Sequence, residues 1–103
     1  MKGKKIMPTP VIFRKEFGNN VVAFFPTFPG TININTCQCY AHIGQHSIAS
    51  IDYYKATKPA QPEEYKDLLE ELISIGYDDL VVRKKITYKH FLEREKNLIE
   101  DFS

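Results

Sequence analysis

Two thiols and two imidazoles fall within one short segment, Cys37-x-Cys39-x2-His42-x3-His46. Such a donor set suits a tetrahedral Zn2+. The spacing is unlike that of zinc knuckles, where two residues usually separate the paired cysteines and a tight loop turns both inward. On extended backbone, Cys37 and Cys39 share one strand face and His42 takes the other. All four ligate together only if the segment is not a strand. The competing reading is two small apolar thiols in a core and two surface histidines. No cofactor is expected on that reading.

The same residues raise acid–base chemistry, because imidazole titrates near neutrality. Strand alternation turns Cys39 away from His42, which opposes a thiolate–imidazolium pair. Ser47 lacks the glycine elbow of a hydrolase nucleophile. The nearest downstream carboxylate able to orient a histidine is Asp52. A recognition role asks less of this segment. Tyr40, His42, Gln45 and His46 can present rings and amides from one strand face and the turn after it, with help from the uncharged stretch 27–35.

The surroundings favour recognition. From Phe17 to Ile51 the chain has no Asp, Glu, Lys or Arg, although it carries 14 basic and 13 acidic side chains in all. Desolvating a charge is costly, so a charge-free run suits a core or an interface. The net charge of +1 argues against broad capture of nucleic acid or an anionic membrane. The charge is uneven, however: residues 1–60 hold seven basic and two acidic groups, and residues 61–103 hold seven basic and eleven acidic. Lys4, Lys5, Arg14 and Lys15 lie at or before the first strand, and Arg83, Lys84 and Lys85 lie in the last. They would form one nucleic-acid-binding patch if those strands were neighbours. Lys and Arg on solvent-facing strand positions also protect sheet edges without binding anything.

At 103 residues, 43% of them hydrophobic, the chain is sized for one domain with a modest core. Residues 1–9 are expected to be flexible. The charge-free run is broken by Pro26, Pro29 and Gly30, which excludes a transmembrane helix there. No targeting segment is evident, and two cysteines one residue apart cannot face each other along one strand. These features suggest a reduced, cytoplasmic protein.

The elements that must carry the cluster follow from periodicity. Strands are expected at about 10–17, 21–26, 36–43, 51–57 and 79–86, with 44–50 a turn or a single helical turn. Gly18-Asn19-Asn20 turns the first pair into a hairpin with a two- or three-residue loop. Residues 21–26 are apolar on both faces, as in a central strand. Helices are expected at about 62–75, with Pro62 at its first position and Gly76 as its stop, and at 88–101 behind a Thr87 cap. The second helix carries a broad stripe from Tyr88 to Phe102. The fold class is α+β: a mostly antiparallel sheet of four to five strands with helices packed on it.

Four segments carry a resemblance: Val11-Ile12-Phe13-Arg14-Lys15, Val21-Val22-Ala23-Phe24-Phe25-Pro26, Cys39-Tyr40-Ala41-His42-Ile43-Gly44-Gln45-His46, and Pro59-Ala60-Gln61-Pro62-Glu63-Glu64-Tyr65 with Ile75-Gly76-Tyr77-Asp78. Over roughly residues 10–86 they resemble a family of small uncharacterised bacterial proteins also found on mobile elements. The resemblance implies a compact single domain and brings no assigned activity, cofactor or partner. The expected function is a small non-catalytic binding or assembly module, with an unknown protein partner or a second copy of itself. Nucleic-acid association and a zinc-binding or histidine-based enzyme are the alternatives.

Overall fold

A computed structural model describes residues 8–41 and 45–102, without the side chains of Gln45 and Phe102. Lys4, Lys5 and His42 lie outside the described residues. Six strands form one sheet: β1 (Thr9–Lys15), β2 (Val21–Pro29), β3 (Thr36–Ala41), β4 (Gln45–Ser50), β5 (Lys58–Pro59) and β6 (Leu80–Arg83). The order runs β4-β3-β2-β1, and both β5 and β6 sit on the far side of β1. All pairings are antiparallel except β1 with β6.

Apolar residues in both alternating phases put β2 in the centre. Ala23 and Phe25 join Val11, Phe13, Tyr40, Leu68 and Leu72 in one core layer under helix α2 (Pro62–Ser74). Val22 and Phe24 join Ile12, Cys37, Cys39, Ala49 and Tyr54 in the opposite layer, under α1 (Ile51–Ala56). The long helix α3 (Tyr88–Phe102) packs along β2. Gly18 and Asn19 both take positive φ, at 93° and 67°. The Glu16 N–H bonds the Asn20 carbonyl at 2.9 Å, so the hairpin loop has three residues. Gly76, at φ 123°, ends α2 as expected.

Several sequence expectations need correction. Residues 51–57 are not a strand. Ser50 accepts the Tyr53 N–H at 3.0 Å and caps α1 there. The preceding segment, expected as a turn, is strand β4, in six-residue register with β3. Its pattern Gln-His-Ser-Ile-Ala-Ser is polar on both faces, so alternation gives no strand signal. Thr9 is buried and opens β1, so the flexible segment expected at 1–9 does not extend to it. Tyr40, expected on an outward face, is 1% exposed because α2 covers that side. The α3 stripe is divided: Phe91 and Leu98 are half-buried, while Tyr88, Leu92 and Ile99 are exposed.

Arg94, not an apolar residue, is the innermost of the described side chains of α3. Register is lost in β2 between Phe25 and Pro29, which leaves carbonyls outside the ladder. Arg94 donates to Pro26 O at 2.7 Å and to Ile34 O at 2.9 Å, and Asn97 donates to Thr27 O at 2.8 Å. The helix therefore docks through polar groups that complete an interrupted strand.

Candidate functional site

The β3–β4 hairpin distributes the chemically interesting residues over two faces. Cys37 and Cys39 lie in the core layer shared with Tyr54. Tyr40 and His46 are cross-strand partners on the other face, with rings 4.6 Å apart in an edge arrangement. The sheet thus separates both sulfurs from the His46 ring, and the four-ligand set expected at Cys37, Cys39, His42 and His46 does not gather. Among the described residues, no three His, Cys, Asp or Glu side chains converge as metal ligands.

The thiol face holds a cavity of about 440 Å³ lined by Glu16, Cys39, Ser47, Tyr53 and neighbours. Cys39 Sγ lies 3.1 Å from Ser47 Oγ. Tyr53 donates its phenol to Glu16. Burial and that hydrogen bond push the phenol up to about 12, so it stays a donor through neutral pH. Cys37 lies deeper, and burial pushes its thiol up to about 11, an effect the Arg94 guanidinium partly offsets. Since only a thiolate alkylates readily, Cys37 is expected to resist iodoacetamide at pH 8 in the native protein and to react after denaturation. Mass spectrometry of the alkylated peptides checks this; rapid native labelling of Cys37 contradicts it.

On the other face His46 Nε2 is 3.1 Å from Tyr77 Oη, and Tyr77 stacks on Phe25 with centroids 5.1 Å apart. Tyr40 donates its hydroxyl to the Glu71 carboxylate. Sequence reasoning found Tyr40 and His46 but missed Glu71 and Tyr77, which come from α2 and the turn after it. No local spacing signals them, because they are 31 residues from their partners. His46 is exposed.

Among the described residues, the outer edge of β4 pairs with no other strand. Ile51 N–H bonds Asn35 O at 2.8 Å, which sets the phase of the ladder. Hydrogen-bonded and non-bonded pairs alternate in an antiparallel ladder. Cys37/Ala49, Cys39/Ser47 and Ala41/Gln45 are therefore the bonded pairs. The N–H and C=O of His46 and Ile48, and the Ser50 N–H, point away from the sheet. This edge carries no Lys, no Pro and no charge, and its pairing with β3 has no bulge. The opposite edge differs in composition and length. It is made of a two-residue strand with Lys58 and Pro59 and a four-residue strand ending in Arg83, with Lys84 and Lys85 beyond. One edge is guarded in the usual manner and the other is not.

The basic residues assemble only in part. β6 is indeed next to β1. However, Arg14 bonds Thr57 Oγ1 at 2.9 Å and Thr57 O at 2.6 Å, and its guanidinium lies 4.6 Å from the Tyr54 ring centroid. Lys15 pairs with Glu64 at 2.8 Å. Both cations serve the fold, whereas Arg83, Lys84 and Lys85 are exposed.

No family model matches the sequence, and no curated protein or solved structure matches it. Among the described residues, no helix is long and apolar enough to cross a membrane.

Proposed function

We propose that this protein is a binding or assembly module that recruits an extended segment along the open edge of β4. The unguarded edge carries the reading: outward N–H and C=O groups on His46 and Ile48, flanked by the exposed His46, Ser47 and Ile48 side chains. Strand addition obtains its affinity from main-chain hydrogen bonds and its selectivity from alternate side chains. Four hydrogen bonds at about 1 kcal/mol each contribute roughly 4 kcal/mol, no more than the low end of the cost of association. Covering the 53% exposed Ile48 side chain must supply part of the remainder.

Ile48→Pro tests this directly. Its N–H faces outward, so proline removes a donor the fold does not use, and stability is expected to change by no more than about 1 kcal/mol. In the parent protein, a capped peptide of alternating Val and Thr is expected to shift the His46 and Ile48 amide resonances and slow their exchange. The proline variant is expected to lose that binding. Unchanged His46 and Ile48 amides at millimolar peptide would overturn the reading. The alternative, nucleic-acid association through Arg83, Lys84 and Lys85, predicts oligonucleotide binding that falls steeply with salt.

A further inference from the structure

We infer that the segment received by β4 is β4 of a second copy, paired antiparallel across a two-fold axis; this rests on the edge-recruitment reading above. Outward-facing groups meet only when even-numbered residues of β4 oppose even-numbered residues of its mate. An axis through Ile48 satisfies this and engages the whole strand. It sets Ile48 against Ile48, His46 against Ser50, and Ser47 against Ala49. The main-chain groups then bond as two reciprocal sets: Ile48 to Ile48, and the Ser50 N–H to the His46 carbonyl of the other copy. The Ser50 carbonyl caps α1 and is not required, so the register fits the groups that are free.

Three observations favour a second copy over a foreign strand. The edge is short, six residues, and a two-fold axis uses each contact twice. The strands behind the edge, β3 and β2, are also without charge, since the charge-free run spans Phe17 to Ile51. Two copies therefore approach with no like charges on the paired strands, and the edge offers no charge by which to select a charged partner. Finally, Ile48 stands at the centre of the strand on the axis, where it covers its own counterpart with apolar surface. The result is one sheet running through both copies, with each β4 edge closed.

Sedimentation equilibrium from micromolar to about millimolar protein, combined with amide exchange, tests the inference. A concentration-dependent dimer is expected, with slower exchange at Ile48 and Ser50 as it forms. Ile48→Lys places two ammonium groups against each other and is expected to raise the dissociation constant at least about 100-fold. Ile73→Lys, a change of the same chemistry at a site 52% exposed on α2, is expected to leave it unchanged. Should Ile48→Lys fail to fold, the exchange measurement on the unaltered protein still decides. A strictly monomeric protein, a dimer with fast-exchanging Ile48 and Ser50 amides, or a dimer indifferent to Ile48→Lys overturns self-pairing. If a monomer still captures the Val/Thr peptide at β4, self-pairing alone is wrong. If it captures none, recruitment at this edge fails as well.

Discussion

Arg94→Ala is expected to destabilise the protein by about 3–5 kcal/mol, read as a lowered midpoint in guanidinium denaturation. The side chain is 2% exposed and donates to two carbonyls, Pro26 O and Ile34 O, which the β2 irregularity and the 30–35 loop leave outside any ladder. Alanine removes both donors at once. Each orphaned buried carbonyl costs about 1–3 kcal/mol, and the methylene stem and the contact with the Phe91 ring are lost as well. Arg94→Lys keeps the charge, but one ammonium lacks the planar fork that reaches two acceptors, so an intermediate loss is expected. Exposed Arg83→Ala serves as the control and is expected to stay within about 0.5 kcal/mol. Limited proteolysis adds a local readout: the alanine variant should be cut first in α3, because this residue docks that helix on β2. A midpoint unchanged by Arg94→Ala would mean that α3 contributes nothing to the fold through this contact.

Phe24→Ala is the second large effect, expected at about 3–5 kcal/mol. The ring is fully buried, meeting Tyr54 edge-on at 5.4 Å and Tyr53 at 6.1 Å. It couples the central strand to α1, the helix that sequence periodicity had assigned to a strand. Removing it leaves a cavity between sheet and helix that fixed backbone cannot close. For a domain of this size such a loss lowers the melting temperature by roughly 15–30 °C. Typical domains have only about 5–15 kcal/mol in total, so the variant would stand near the folding threshold. Ile99→Ala, an apolar truncation on the outer side of α3 at a residue 62% exposed, should cost little by comparison. Thermal melts followed by circular dichroism check both, and equal losses from the two truncations would contradict the core described here.

Both predictions concern features that periodicity conveyed unequally. The α2 boundaries were legible because Pro62, Gly76 and the Leu68/Leu72 spacing all act within one or two turns. The Thr87 cap was legible for the same reason: Thr87 Oγ1 accepts the His90 N–H at 3.3 Å. The centrality of β2 was legible too, since a strand apolar in both phases has to be covered twice. Strand β4 was not. Its six residues carry no apolar alternation, and its strand character comes from β3 alongside it. Residues 51–56 have the bulky content of a strand and became helical because Ser50 caps them and Tyr54 is drawn under the sheet.

The candidate site divides in the same way. The charge-free run and the nearness of Tyr40 and His46 along the chain follow from residue types and from sequence separations of a few residues, whereas their cross-strand pairing does not. That Tyr40 is sealed beneath α2, and that Glu71 and Tyr77 complete its surroundings, depends on contacts across 31 residues. The expected zinc set illustrates the limit most clearly. Spacing along the chain put four ligands close together, and the pleat then sent the sulfurs and the His46 ring to opposite faces.

The amino-acid sequence by itself determined the α+β class, the two-faced central strand, the ends of α2, the start of α3 and the uncharged stretch around the cysteines, because these depend on local sterics, capping and periodicity. The tertiary structure decided which edge of the sheet stays open, which cations are consumed internally and how an arginine docks the last helix. Those outcomes depend on which strand lies beside which, and neighbours in space are chosen by the packing of the whole chain.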